Sequence, residues 1–270
     1  MKKLLSSTAV AGCFALGAAF STASAAGAVT FGNSWDGPGK SLQEQLDAIT
    51  VGGPNINTVT DQKPYELFTN TASGGAVATF MFEIANFAPT NKFGIYNQSG
   101  AKAQLFGGIN DVSDQAFVSF NNGNLSVITA GFAPGNTGGL SQTSYTNFGN
   151  VFGFYLERGD GVTFYTENAR NSDGYQQAVV YQGNNQTKLQ ISGKSAGTFT
   201  DDEFIIAFED LLRSIPGNSD SDFNDLVVMV ESIEPIKVPE PGTVGALVVL
   251  GLYGVSVMSK KQRQPKKLSN

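Results

Sequence analysis

The sequence predicts a mainly β protein, an antiparallel β-sandwich that is jelly-roll-like and carries one short N-terminal helix. Glycine is abundant, with 32 residues in 270, and Asn, Thr and Ser are frequent. Short apolar runs alternate with these turn-forming residues, which is the pattern of antiparallel sheets. The apolar bulk for a packed core comes from 20 Phe and 8 Tyr.

The helix is expected to begin after Ser41. Residues 41–44, with the sequence SLQE, fit a capping box, in which the serine and glutamate side chains bond to each other's backbone amides. Leu42, Leu46 and Ile49 then fall on one helical face. We expect this helix to cover an edge or an end of the sandwich.

Strands are expected wherever apolar residues alternate between turn signals. Phe80, Phe82 and Ile84 show period two within residues 76–87, and 93–96 form a further short strand. Pairs of strands flank turn-forming residues in three places: 116–120 and 125–129 around 121–124, 151–156 and 162–166 around 158–161, and 177–182 and 188–192 around 183–185. Residues 204–208 and 226–230 are the most apolar and are expected to be central strands. With no internal repeat and no long linker, one domain is predicted over residues 28–234.

The N-terminus has the three regions of an export signal. Lys2 and Lys3 are followed by a mostly apolar stretch, residues 4–20, and Ala23 and Ala25 then fit the small-x-small pattern that signal peptidase cuts. Residues 1–25 are therefore predicted to be a signal peptide cleaved after Ala25. The alternative is a buried N-terminal helix.

Cys13 raises a second possibility for the same segment. Residues 10–13, VAGC, resemble a lipoprotein box, and lipidation of Cys13 would anchor the N-terminus in a membrane. The apolar run continues past Cys13 to Phe20, as in an ordinary signal peptide. A non-lipidated signal peptide is therefore favoured.

The C-terminus is also tripartite. A helix-hostile leader at 238–243 precedes an apolar segment, and a basic cluster follows at 260–267. Residues 242–259 are long enough to span a bilayer core as a transmembrane helix. The basic cluster is expected to stay cytoplasmic, which places the folded body outside the inner membrane.

This order of leader, apolar helix and basic tail over residues 238–264 resembles the PEP-CTERM sorting signal of Gram-negative bacteria and cyanobacteria. The matching residues are Pro239, Glu240 and Pro241. The resemblance implies an exosortase as processing partner and removal of the tail, so that the mature chain is exported and only transiently anchored. A plain membrane anchor is the alternative.

The composition excludes several kinds of catalytic and metal-binding site. Between the two terminal segments there are 10 basic and 22 acidic residues, a net charge of −12, which disfavours nucleic acid as a partner. The chain has no His, and its single Cys lies in the signal segment. A Ser-His-Asp triad, a Cys nucleophile and a His or Cys zinc site are therefore excluded in the mature chain. Oxygen ligands remain, and these favour calcium or magnesium.

The most informative stretch is acidic. Asp220, Asp222 and Asn224 place oxygens at i, i+2 and i+4, a spacing that in a curved loop turns alternate side chains toward one point. The remaining predicted metal ligands are Asp225, Glu209 and Asp210. The last two end a preceding strand and would approach the same ion if the two strands pair.

The spacing also fits positions one, three and five of an EF-hand loop, with Glu231 at position twelve. Asp225 stands where an EF-hand has glycine, however, and residues 226–230 favour a strand over the required helix. A calcium-binding β-loop is therefore predicted. The alternative is a solvated acidic loop held by turn hydrogen bonds.

Residues 208–211, FEDL, and 220–227, DSDFNDLV, also resemble an uncharacterised family of bacterial secreted domains. The likeness covers about residues 148–232. It implies a β-sandwich and a calcium site, and it implies no activity.

We therefore predict a non-enzymatic protein of the cell surface or extracellular matrix, which binds polysaccharide or other surface proteins. Trp35, Tyr145 and Tyr175 are aromatic residues that stack on sugar rings if exposed. One alternative is a polysaccharide hydrolase with two carboxylates, for which Glu157, Glu167 and Glu209 are the candidates. Another is a structural coat or sheath subunit.

Overall fold

The computed structural model describes residues 28–71, 75–85, 87–108, 112–130 and 140–236. Within these ranges the chain has one α-helix and sixteen strands, and all paired strands are antiparallel. The prediction of a mainly β fold with antiparallel sheets is confirmed. The predicted signal segment, with Ala23 and Ala25, lies outside the described residues. So does the predicted sorting tail, with Pro239, Glu240 and Pro241.

The helix α1 covers Leu42–Ile49. The strands are β1 Thr50–Gly52, β2 Phe68–Asn70, β3 Ala76–Phe82, β4 Lys92–Asn97, β5 Lys102–Gly107, β6 Gln115–Asn121, β7 Asn124–Ala130, β8 Leu140–Tyr145, β9 Val151–Glu157, β10 Thr163–Tyr165, β11 Ala178–Gln182, β12 Lys188–Leu189, β13 Gly197–Thr198, β14 Glu203–Phe208, β15 Leu226–Glu231 and β16 Ile233–Pro235. Among the described residues, no helix combines the length and apolar character needed to cross a membrane.

Two large sheets form the sandwich. One has seven strands in the order β11-β14-β15-β3-β6-β7-β8, and the other has six, in the order β16-β2-β9-β4-β5 with β10 paired to β9. Their facing sides share one core of aromatic and aliphatic side chains. Phe68 lies at its centre, with its ring 5.4 Å from those of both Phe154 and Phe204. Full burial of each such side chain contributes about 1.5–3 kcal/mol to folding.

A second core covers the outer face of the seven-stranded sheet. Leu42 and Leu46 of α1 belong to it, together with Phe199, Phe223 and the outward residues of the central strands. Strand β14 is therefore buried on both faces, which explains its nearly continuous apolar sequence. The helix was expected at an edge or end of the sandwich; instead it contributes to this outer core. Its predicted capping box between Ser41 and Glu44 is present.

The hairpin between β6 and β7 is present as predicted. Asn122 and Gly123 both have positive φ, at 48° and 77°, as a tight two-residue hairpin turn requires. The predicted period two of β3 fails at a bulge opposite β15, between Val227 and Val228. As a result Phe80 enters the inner core, whereas Phe82 packs against the outer one.

The segments 177–182 and 188–192 do not pair as a hairpin. Strand β11 joins the seven-stranded sheet, whereas β12 joins a small three-stranded sheet with β1 and β13. The chain leaves the large sheet at Gly183, where a Cβ atom would overlap the Thr200 carbonyl. Leu189 and Ile191 are then buried in the outer core, so tertiary packing overrides the local turn signal.

Candidate metal centre

The predicted ligands meet at one end of the seven-stranded sheet. Phe208, the last residue of β14, pairs with Leu226, the first residue of β15. The segment that leaves β14 therefore starts beside the segment that enters β15. The main-chain amide of Asp210 donates a 2.7 Å hydrogen bond to the Asp225 carboxylate, which joins the two segments directly.

The loop before β15 turns sharply at alternate residues. Ser221 and Phe223 have φ values of 57° and 55°, in the left-handed region that costs a non-glycine residue about 1–2 kcal/mol. Burial of the Phe223 ring offsets this cost. The ring packs edge-on against Phe31 at 5.3 Å, and the Arg213 guanidinium lies 4.9 Å from its centroid.

Asp36 is a member of the site that sequence reasoning missed. One carboxylate oxygen from each of Asp36, Asp220 and Asp222 lies within 4.8 Å of the other two. The backbone of the preceding segment is fixed by hydrogen bonds from Gly32 N to Ser221 O, 3.0 Å, and from Trp35 N to Asp220 Oδ2, 2.8 Å. In sequence, Asp36 stands in a turn-rich stretch with no acidic neighbour, so no local signal connects it to the loop.

Gly32 permits this approach of the N-terminal segment. A Cβ atom at Gly32 would overlap the carbonyl of Asp220. The position therefore needs glycine because two backbones pass too closely for any side chain. The consequence is that a residue far from the acidic motif supplies the close contact that brings Asp36 to it.

Asn224 is fully buried among these carboxylates, with 0% of its surface exposed. Its amide nitrogen contacts three acceptors: Asp222 Oδ2 at 2.6 Å, Lys40 O at 2.9 Å and Asp36 Oδ2 at 3.0 Å. An amide has only two N–H groups, so the three acceptors exceed its donors. Its oxygen, Oδ1, is buried without a hydrogen-bond partner.

Glu209 is also fully buried, and neither of its carboxylate oxygens accepts a hydrogen bond of good geometry. Burial is the main reason that its pKa rises to about 7, and the charges of Asp220, Asp222 and Asp210 add to the rise. The nearby Ser219 hydroxyl lowers the pKa only in part. A carboxylate held in this way lacks the compensation that buried charges normally require.

The other acids of the motif share this environment. Burial raises the pKa of Asp222 to about 6, with a further rise from Asp220 and a lowering by the Ser34 hydroxyl. Burial raises the pKa of Asp225 well above its usual range, and it raises that of Asp210 to about 6. Burial likewise raises the pKa of Asp220. Like charges and desolvation therefore act in the same direction throughout the site.

Positive groups compensate the cluster only in part. Burial lowers the pKa of Arg213, and the charge of Glu209 opposes that lowering. The guanidinium of Arg213 donates to Ser221 Oγ at 3.1 Å and to Gln176 O at 2.7 Å, and it makes no ion pair with a carboxylate of the described residues. Carboxylate and amide oxygens at this density are the ligand set of calcium. The arrangement is thus suited to hold a hard divalent cation, and it lacks His and Cys for softer metals.

The sequence-based candidates for hydrolysis are not brought together. Glu157 is bound by Lys92 and Lys102 at 3.3 and 2.9 Å. Glu167 accepts a 2.8 Å hydrogen bond from the Tyr96 hydroxyl and pairs with Arg170. Glu209 is buried in the acidic cluster. Each of these carboxylates has a separate structural environment.

A different pair of acids faces a cleft. Glu203 and Glu231 lie directly opposite each other on β14 and β15, at the end of the strands away from the acidic motif. Both line a cavity of about 200 Å³. Burial raises the pKa of each, and Asp202 raises both further. Glu231 therefore lies at the end of a strand, remote from the loop in which an EF-hand would use it.

Part of the chain matches a known family. Residues 132–232 match the family described as a domain of unknown function, DUF4114, and the region expected from the acidic motif, 148–232, lies inside the match. The match contains all six ligands predicted from the sequence, and Asp36 precedes it. No similar protein was found among curated proteins, and none among solved structures.

Proposed function

We propose that this chain is an exported protein of the cell surface or extracellular matrix whose jelly-roll-like sandwich is stabilised by calcium at its acidic end. The ion is held by the outer group, which we define as Asp36, Asp220, Asp222 and Asn224, with Glu209 behind it. The observation that carries the proposal is Glu209, whose two buried oxygens accept no hydrogen bond of good geometry, together with three converging carboxylates.

Burial supports an ion over a solvated loop. Asp222, Asn224 and Glu209 are almost fully inaccessible to solvent, so bulk water cannot compensate their polar atoms. An unpaired buried charge costs several kcal/mol, whereas a divalent cation would neutralise two of the carboxylates and use the free oxygens as ligands. These facts favour calcium over a solvated turn.

The proposal of export and sorting is supported by the sequences at the two ends of the chain. The signal segment ending at Ala25 directs export, and the PEP-CTERM-like tail with Pro239, Glu240 and Pro241 directs processing by an exosortase. Replacing Pro239 and Glu240 with Ala should block removal of the tail in the native host, as measured by mass spectrometry of the intact protein. Unchanged processing would favour a plain membrane anchor.

Exposed aromatic residues border the acidic end and support a polysaccharide or surface-protein partner. Trp35, with 61% of its surface exposed, precedes Asp36 directly, and Tyr175 is exposed beside the Gln176 carbonyl that binds Arg213. Flat exposed rings of this kind stack on sugars. Tyr145 packs against Phe148 at 6.0 Å and is less suited to this role.

The central experiment is calorimetric titration of calcium into the chelator-treated full-length chain, with magnesium as control. We expect saturable binding with a Kd of about 10⁻⁴–10⁻³ M, the range of extracellular calcium modules, and a higher melting temperature. Asp222→Asn with Asp225→Asn should abolish binding by the outer group and reduce the rise in melting temperature. Glu234→Gln, which removes an exposed carboxylate, is the matched control and should change neither.

If the double variant binds calcium like the unaltered chain, the ion lies elsewhere. Size-exclusion chromatography with and without calcium tests the structural alternative. A calcium-dependent assembly of many copies would favour a coat or sheath subunit, and a monomer would favour a binding protein.

The cleft at Glu203 and Glu231 supports a second candidate function, hydrolysis of polysaccharide. Directly opposite residues on antiparallel strands have Cβ atoms about 4.5–5.5 Å apart, and retaining glycosidases hold their two carboxyl groups about 5–5.5 Å apart. Glu203 also accepts a hydrogen bond from the Thr200 amide, which is a structural role. Release of reducing sugar that is lost in both Glu203→Gln and Glu231→Gln would establish this activity, and no release from acidic or neutral polysaccharides would oppose it.

A further inference from the structure

A second set of acids lies behind the outer group, around Asn91. We define the inner group as Glu83, Asn91 and Asp210. Asn91 is buried, with 2% of its surface exposed. Its amide nitrogen donates to Glu83 Oε1 at 3.0 Å and to Asp210 Oδ2 at 3.2 Å, so the amide bridges the two carboxylates.

The oxygen of the same amide, Asn91 Oδ1, is buried without a hydrogen-bond partner. An amide oxygen is a strong acceptor, and leaving one unsatisfied in the interior costs about 1–3 kcal/mol. A half-turn of the amide exchanges its nitrogen and oxygen, two atoms that differ little in shape. That turn places the oxygen between the carboxylates of Glu83 and Asp210, where it completes a set of three oxygen ligands.

Asn224 of the outer group has the same arrangement. Each asparagine is buried, each donates from Nδ2 to two carboxylates, and each has an Oδ1 without a partner. In both places an N–H₂ group lies between two acids, where a half-turn of the amide would put its oxygen beside theirs as a further ligand. This arrangement occurs twice, before β4 of one sheet and before β15 of the other, and the repetition points to two ions.

The charges of the inner group are poorly compensated by the chain. Burial raises the pKa of Glu83 to about 7, and the Asp210 charge adds to the rise. Burial raises the pKa of Asp210, and the charge of Arg158 opposes that rise. Its guanidinium, however, donates to the main-chain oxygen of Asp210 at 3.1 Å and pairs with Asp160, so its N–H groups are directed to other acceptors.

We propose that Glu83, Asn91 and Asp210 form a second divalent-cation site, separate from the outer group. Asp225 adjoins the inner group, since its carboxylate accepts the 2.7 Å hydrogen bond from the Asp210 main-chain amide. The choice of calcium as its ion rests on the proposed function, whereas the ligands are different residues.

The position of this site gives it a distinct structural role. Glu83 follows β3 of the seven-stranded sheet, and Asn91 immediately precedes β4 of the six-stranded sheet. An ion here ties the crossing between the two sheets to the end of β14. The outer ion ties the N-terminal segment to the loop before β15. The two ions therefore fasten different connections of the sandwich.

The number of bound ions tests the proposal. Native mass spectrometry of the full-length chain, chelator-treated and then supplied with calcium alone, should count two ions for the unaltered protein. Glu83→Gln should bind one ion and Asp36→Asn should bind one, while the double variant should bind none. Glu234→Gln is the matched control for loss of a carboxylate and should keep two.

Trp35 identifies which ion remains. It is the only Trp in the chain, and its amide binds Asp220 of the outer group. Terbium luminescence excited through Trp35 should therefore persist in Glu83→Gln and should fall at least tenfold in Asp36→Asn. The reverse result would overturn the assignment of Glu83 to a separate site.

The variant Asn91→Asp tests whether Asn91 acts as an ion ligand or only as a structural hydrogen-bond donor. The aspartate loses both N–H groups but keeps two oxygens, so it should retain the second ion, and its melting temperature should depend more steeply on calcium. If the role of Asn91 is only to donate hydrogen bonds, the variant should lose stability at every calcium concentration. That outcome would overturn the proposal.

The two proposals fail in different ways. A count of one ion, lost in Asp36→Asn and kept in Glu83→Gln, overturns the second site and leaves the proposed function intact. One ion lost in both variants indicates a single shared site and also overturns the second one. No bound ion overturns both proposals.

Discussion

Strands β14 and β15 differ sharply between their paired length and the end that carries the acidic motif. Along the pairing, Phe204, Ile206 and Val228 are completely enclosed by other apolar side chains. Just beyond it, Glu209 is equally enclosed, yet its carboxylate has no hydrogen-bond partner of good geometry. The same two strands thus bury hydrocarbon in one region and charge in the next.

The difference lies in what each kind of burial requires. Burial of apolar surface is favourable without any partner, and each Phe contributes about 1.5–3 kcal/mol. Burial of an unpaired carboxylate costs several kcal/mol unless an opposite charge accompanies it. The apolar region should therefore be indifferent to calcium, whereas the acidic end should depend on it. Four predictions sharpen or break this contrast.

The largest effect is expected from Phe204→Ala. The ring lies 5.4 Å from that of Phe68 in the inner core, and its loss should reduce the free energy of unfolding by about 3–5 kcal/mol. Urea unfolding should give the same loss with and without calcium. Phe117→Ala, at a half-exposed ring, is the control and should cost much less. A calcium-dependent loss for Phe204→Ala would contradict the separation of the two regions.

In contrast to Phe204→Ala, Glu209→Gln should raise the free energy of unfolding of the calcium-free protein. A neutral side chain of the same shape removes a buried charge, so the calcium-free protein should gain about 1–3 kcal/mol in its free energy of unfolding. Calcium should then bind at least about tenfold more weakly, a loss of about 1.4 kcal/mol. Denaturant unfolding and calorimetry on the same samples measure both. Unchanged affinity would show that Glu209 is not part of the site.

Gly32→Ala should weaken calcium binding without disturbing the inner core. The added Cβ atom overlaps the Asp220 carbonyl, so the N-terminal segment must move and take Asp36 with it. We expect a decrease in affinity of about tenfold and a change in the calcium-free unfolding free energy below about 1 kcal/mol. Gly197→Ala has open space around its Cβ position and is the matched control. Equal effects of the two substitutions would contradict the role of Gly32.

The smallest effect is expected in the pH dependence of the melting temperature, through the two glutamates that line the cleft. Burial raises the pKa of Glu203 and Glu231 above their ordinary value of 4.5, and Lys194 opposes this only at Glu231. An acid whose pKa is raised on folding stabilises the protein below its unfolded pKa, and this contribution is lost as pH rises through the folded pKa. In saturating calcium, Glu231→Gln should flatten the decline in melting temperature above about pH 4.5. If the melting temperatures of the variant and the unaltered protein decline in parallel, a raised pKa of Glu231 would be contradicted.

Several features could be predicted from the sequence because neighbouring residues determine them. The capping box joins Ser41 to Glu44, three positions later, and the turn at Asn122 and Gly123 uses the backbone freedom of those two residues. The convergence of Glu209 and Asp210 on the loop before β15 also follows from one pairing, between two strands that are nearby in sequence.

Features that depend on distant packing could not be predicted. The segment 188–192 contributes Leu189 and Ile191 to the outer core in place of a hairpin, because the outer face of the large sheet needs apolar cover. The same demand places α1 over that face. The bulge in β3 sends Phe80 and Phe82 to opposite cores, which a regular alternation cannot anticipate.

The sequence by itself determined the antiparallel β class, the helix start, a tight hairpin and an acidic segment without His or Cys that is limited to hard-cation chemistry. Only the tertiary structure decided that Asp36, 188 positions from Asn224, joins that segment, and that Asn91 bridges Glu83 and Asp210. The physical reason is the distance along the sequence over which each kind of interaction acts. Capping and turn geometry act over a few residues, whereas a cluster of buried carboxylates exists only once two sheets, a crossing segment and an N-terminal segment have packed together.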